Sequence, residues 1–142
     1  MKTIPNRKLA EVVAIRDALA VIIELDAASP LEVDADTRYD LLANYRLARD
    51  ASKDYDAARE GLIKQHGVKS PEGNYAVAAS ITQDGVIRPN PAYLVLLTAL
   101  TGLLEREVEF SPQTLSVAAL KGERRINLRV LDRLMDLSVF TA

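Results

Sequence analysis

The chain has no cysteine. That excludes disulfides, thiolate metal sites and cysteine nucleophiles, and it fits a reducing compartment. It has one histidine, His66, so a histidine-rich metal site is excluded. As a general base His66 would need an orienting partner, and the sequence offers none. At the end of a helical pattern it reads as a C-terminal cation. Long hydrophobic runs are also missing. The most apolar stretch, PAYLVLLTALTGLL from Pro91 to Leu104, falls short of the ~20 residues a membrane helix needs. The opening MKTIPNRKLAEVVAIRDALAVIIELD is interrupted by Glu11, Arg16 and Asp17 and does not read as a signal peptide. A cytoplasmic location without membrane contact is expected. The formal net charge is only -2, which argues against a broadly nucleic-acid-binding surface.

What remains are 142 residues, 49% of them hydrophobic, enough for one domain with a real core. Leu9, Val12, Leu19, Ile22 and Ile23 recur at helical steps and predict a helix from about Asn6 to Ala28, stopped at Pro30. A second helix is expected from about Thr37 to His66, with Leu41, Leu42, Tyr45, Ala48, Tyr55, Ala58 and Leu62 on its apolar side and Gly67 as a left-handed cap. The two predict a long antiparallel hairpin, part of it projecting beyond the core. The period then changes. Tyr75, Val77, Ala79 and Ile81 alternate, and Asp84-Gly85 is a two-residue hairpin turn, with Pro89 stopping the second strand. Asn90 and Pro91 open a helix that is apolar on nearly all sides and is expected to be central and buried. Glu107–Phe110 alternates as a third strand. Ser111-Pro112 repeats the cap signal for a helix ending at Gly122, and a last helix spans about Asn127–Leu137.

The expected class is therefore α+β, mainly helical: a long N-terminal helical hairpin, a small β-hairpin or sheet, and three shorter helices. One domain is expected over 1–142, with a hairpin subregion 1–67 and an α+β subregion 74–142. Residues 68–74, VKSPEGN, form the expected hinge.

The densest chemistry is Glu32, Asp34 and Asp36 in SPLEVDADTRYDLL. A calcium loop would need glycine at its sixth position and glutamate at its twelfth. Counting from Glu32 gives Thr37 and Ala43, and from Asp34 gives Tyr39 and Tyr45. Neither register fits. The carboxylates instead suit the positive end of the second helix, and Thr37 and Asp40 have capping-box spacing. A carboxylate site shared with Glu107 and Glu109 stays open, as does glycoside chemistry by that pair. The serines lie in no nucleophile-elbow pattern, and HGVKS and KGERR have no phosphate-loop spacing. No catalytic, cofactor or metal residue is assigned.

Binding is better represented. Arg125, Arg129 and Arg133 recur every four residues, a stripe that can follow phosphates or serve as the polar face opposite Leu128, Leu131 and Leu134. It can also meet the acidic 22–36 region of the same or another chain. On the second helix, Arg38, Leu41, Tyr45, Ala48, Ser52, Tyr55, Arg59 and Leu62 follow heptad steps. Tyr45 and Tyr55 bring large rings with polar tips, suited to a partly wet interface. The expected interaction surface is thus Tyr45, Tyr55, Arg125, Arg129, Arg133, Glu32, Asp34 and Asp36.

The segment YDLLANYRLARDASKDYDAAREGLIKQHG, a polar loop, EVEF and then leucine-rich helices resemble a family of small, uncharacterised proteins of tailed bacteriophages and prophages over about residues 37–137. IKQHG departs from the usual tyrosine-glycine ending, and the Asp84-Gly85 hairpin reads as an insertion. The resemblance implies a phage-encoded cytoplasmic protein with no catalytic residues to carry over. The leading expectation is a non-enzymatic interaction protein, an assembly or virion-associated component that self-associates or binds another phage or host protein. The alternatives are an inhibitor that occludes a host defence protein and a small carboxylate-dependent enzyme.

Overall fold

The computed structural model describes residues 6–120, 123 and 125–141. In chain order the elements are β1 (Asn6–Lys8), α1 (Leu9–Ala28), α2 (Ala35–His66), β2 (Val68–Lys69), β3 (Tyr75–Ala76), β4 (Ser80–Gln83), β5 (Val86–Pro89), α3 (Pro91–Leu104), β6 (Glu107–Glu109), β7 (Leu115–Ser116), a 3-10 turn (Val117–Leu120), α4 (Leu128–Asp136) and β8 (Phe140–Thr141). The protein is mainly helical α+β, and its strands pair only two by two. Among the described residues no helix is long and apolar enough to cross a membrane. The chain divides into two compact units, Met1–Ser52 with Glu107–Ala142, and Lys53–Arg106. The first boundary falls inside α2, not at 68–74.

The first unit is built around α1. Its buried side chains Leu9, Val12, Ile15, Leu19 and Ile22 return every third or fourth residue, so one face of the helix is continuously apolar. α1 packs against α4, where Leu134 is fully buried. The first half of α2 contributes Leu41 and Ala48 to the core. Arg16 reaches Ser52 and Arg38 reaches Asp26; contacts that climb one helix as they descend the other make α1 and α2 antiparallel. β1 pairs antiparallel with β6, setting Lys8 across from Glu107, a favourable cross-strand combination. The Arg7 guanidinium donates to the Leu137 carbonyl, fastening β1 to the end of α4. β7 runs parallel to β8 and places Leu115 beside Phe140, both buried.

Two expectations for this unit are corrected. Residues 6–8 are strand, because β6 supplies their backbone partners. Ser111-Pro112 starts no helix. Asn44, fully buried on α2, donates through Nδ2 to the Gln113 carbonyl at 2.8 Å and accepts the Gln113 N–H at Oδ1 at 2.8 Å. That clamp holds the chain extended, and Leu115 then pairs with β8, leaving one 3-10 turn where a helix was expected. Its expected end, Gly122, lies outside the described residues.

The second unit contains the end of α2, two β-hairpins and α3. The expected hinge at 68–74 is an ordered turn: Ser70 N–H donates to the Asn74 carbonyl at 2.7 Å, and Gly73 takes φ 91°. Gly67 is not left-handed. Glycine is required there by close approach, since a Cβ would stand 2.4 Å from the Ile63 carbonyl oxygen and 2.8 Å from that of Ala76. The single strand expected over Tyr75–Ile81 is two short ones, interrupted at 77–79. Asp84 (φ 51°) and Gly85 (φ 76°) make the predicted β4–β5 turn. Asn90 caps α3 by accepting the Ala92 N–H at 3.1 Å, and its Nδ2 donates to the Ala78 carbonyl at 2.8 Å.

Replacing Asn44 with alanine should lower stability by about 0.5–1.5 kcal/mol for each of the two Gln113 hydrogen bonds it removes. The expected observation is a lower urea midpoint with an unchanged slope; an unchanged midpoint would show that the clamp is dispensable.

Candidate functional site

The acidic stretch is a joint. Asp34 stands just before α2 and its Oδ1 accepts the Thr37 N–H at 2.7 Å, the N-cap role expected of this cluster, worth about 0.5–2 kcal/mol. The register differs from Thr37–Asp40: Thr37 is the donor, and its side chain is buried. Asp36 lies in the first turn, where its charge complements the helix dipole. Glu32 is exposed, and its backbone N–H points at Glu123 Oε2, 3.4 Å away.

The carboxylate that organises the joint is one the sequence did not single out. Asp26, near the end of α1, is bound by Arg38 through Nε at 3.0 Å and Nη2 at 3.2 Å, and accepts the Leu31 N–H at 2.8 Å. Arg38 also donates to the Leu31 carbonyl at 2.9 Å. The Arg38 hydrogen bonds and that of Leu31 hold the Asp26 carboxyl below its ordinary value. The two residues are twelve apart across a loop, so no local spacing rule marks the pair. Ile22, Ile23, Val33, Leu41 and Leu42 line a small cavity of about 180 Å³ beside it, whose polar wall is already satisfied.

Arg125 joins the acidic loop to the C-terminal segment. It lies before α4, so the expected arginine stripe is broken. Its guanidinium donates to the Ser29 carbonyl at 2.7 Å, the Pro30 carbonyl at 3.0 Å and Glu123 at 3.1 Å. The expected meeting of acidic loop and basic segment thus occurs within the chain, but through backbone carbonyls; Glu32, Asp34 and Asp36 do not receive Arg125. Arg129 and Arg133 are exposed on α4 and line a shallow depression with Asp17 and Val21 of α1. Tyr45 is half-buried in the first unit and Tyr55 half-buried in the second, whereas Tyr39 is the more open ring at 70% exposure. Glu107 and Glu109 are exposed on β6. Among the described residues no three carboxylate or imidazole side chains converge as a metal-holding group.

The feature the sequence pointed away from is α3. It was expected to be buried all round, and only Leu96 is buried. Leu94, Val95 and Leu97 are 52%, 51% and 42% exposed. The exposed positions Pro91, Leu94, Val95, Leu97, Thr98, Thr101 and Gly102 are linked by three- and four-residue steps, so they form one stripe with Leu97 at its edge. Tyr93, Leu96, Leu100, Leu103 and Leu104 face inward. A helix apolar all round announces a need for burial; the signal that this need is unmet lies in its surroundings, since residues 68–90 bring mostly polar turn residues. Ile87 and Val68, at 75% and 79% exposure, are left open in the same unit. No family model, curated protein or solved structure matches the chain.

Arg125 pulls the Glu123 carboxyl down from 4.5 to about 2. A carboxyl depressed on folding adds stability above its unfolded value and loses it as pH falls through its folded value. The stability advantage of the parent over Arg125→Ala should therefore be constant above about pH 4.5 and shrink between pH 4.5 and 2. Paired urea melts across that range check this; an advantage independent of pH would contradict it.

Proposed function

We propose that the protein is a non-enzymatic protein-interaction module whose working surface is the exposed face of α3. The observation that supports this most directly is the exposure of Leu94, Val95 and Leu97 on a helix with no charged residue from Pro91 to Leu104. Single exposed apolar residues need no explanation, whereas a contiguous apolar stripe marks a surface that another molecule covers. The resemblance to small phage and prophage proteins supplies the setting: an assembly or virion-associated component in an infected bacterial cytoplasm. The acidic and basic groups expected to lead the interaction are instead used largely within the first unit. Tyr45, Tyr55, Arg129 and Arg133 remain secondary contributors at most. A nucleic-acid role is disfavoured by the net charge of -2 and by the internal use of Arg125.

An open apolar stripe binds a hydrophobic fluorescent dye such as anilinonaphthalene sulfonate in the native state. Titration of the dilute native chain should give saturable fluorescence that Leu94→Glu reduces severalfold with the circular dichroism spectrum unchanged. No native-state dye binding would refute an open surface.

A further inference from the structure

The cavity beside Asp26 and Arg38 is separate from the α3 surface, and its geometry points to a binding site for an uncharged, apolar small molecule of one ring or a short branched chain. It lies wholly within the first unit, between the last turns of α1 and the start of α2, and measures about 180 Å³. Ile22, Ile23, Val33, Leu41 and Leu42 supply most of its wall. Ile22 and Leu41 are buried, whereas Ile23, Val33 and Leu42 are half-buried. The floor is therefore in the core and the rim reaches the surface, where a ligand enters. An apolar cavity of about 150 Å³ stays dry and accepts benzene or xenon, so this one suits roughly six to eight heavy atoms.

Two features distinguish it from a packing defect. The first is that the cavity is held open. A cavity is least costly where its surroundings relax into it. Here the loop between α1 and α2 is tied down along its length. Asp26 accepts the Leu31 N–H, Arg38 donates to the Leu31 carbonyl, and Arg125 holds the Ser29 and Pro30 carbonyls. Farther along the helix pair, Arg16 Nη1 donates to Ser52 Oγ at 3.1 Å. Closing the two helices onto the cavity would break these contacts. A pocket formed in advance binds without the entropy loss of ordering its walls. The second feature is its charged wall. Asp26 and Arg38 are the charged residues of the lining, and they are joined at 3.0 Å. Asp26 accepts at both oxygens, at Oδ1 from Leu31 and Arg38 and at Oδ2 from Arg38. A cationic ligand meets a carboxylate already neutralised, and an anionic one meets Asp26 as it approaches Arg38. Either loses hydration that the site does not replace. A neutral apolar body has little hydration to lose and covers isoleucine and leucine side chains. The Arg38 side chain is 41% exposed, so an anionic ring compound is the sharpest alternative to test.

Toluene is the probe, with benzoate and benzylammonium as charged compounds of the same ring. Titration of the full chain followed by methyl NMR should give saturable shifts at Ile22, Ile23, Val33, Leu41 and Leu42, with a dissociation constant on the order of 1 mM or below. Both charged compounds should bind at least tenfold more weakly. Ile23→Phe sets a ring of the protein's own at the rim and should abolish the shifts of the other four residues with the circular dichroism spectrum unchanged. Ala27→Leu, from the same wall, should act alike. No saturable shift in the parent chain overturns the site, as do shifts that persist undiminished in both variants. Benzoate binding as tightly as toluene overturns the uncharged ligand class. Shifts confined to the Leu94, Val95 and Leu97 methyls place toluene on α3, which overturns the cavity site and leaves the open surface standing.

Discussion

The distribution of buried apolar side chains governs the structure. Among the described residues, all but one of the buried apolar side chains belong to the first unit; Leu96 alone lies in Lys53–Arg106. Burying one leucine fully contributes about 1.5–3 kcal/mol, while fixing each backbone residue costs about 1–2 kcal/mol. Half-buried side chains such as Tyr93, Leu100 and Leu103 reduce the deficit without removing it. A segment of this size is marginal even with a good core. The apolar surface missing from its interior is on its exterior, along α3.

The first unit shows the opposite economy. α1 offers an apolar residue at nearly every turn and finds α4 and α2 to receive them. Its polar groups are also engaged. Asp26 with Arg38, Arg125 with the Ser29 and Pro30 carbonyls, and Asn44 with Gln113 each fix a loop against a helix. These contacts turn carboxylates and guanidiniums that resemble binding groups in one dimension into internal fasteners in three.

Much of the fold was legible because its signals are local. The Asn90-Pro91 start, the Asp84-Gly85 turn, the C-terminal end of α1 and the limits of α2 each depend on a few adjacent residues. Ser111-Pro112 carried the same kind of signal and failed, because Asn44 and β8, both distant in sequence, compete for that backbone. Gly67 was correctly marked as special for the wrong reason: contact with Ala76 across the β2–β3 hairpin, not a left-handed cap, excludes a side chain. The candidate site was the least legible part. Hydrophobicity records how much burial α3 calls for, but the supply depends on what the rest of the unit can place against it.

The central claim is that the second unit is completed by something outside itself. Amide hydrogen exchange, resolved along the chain and repeated over a wide range of protein concentration, tests it most directly. The account predicts that α1 and α4 are strongly protected at every concentration, whereas protection of α3 is low in dilute solution. Protection of α3 equal to that of α1 in dilute solution would contradict it.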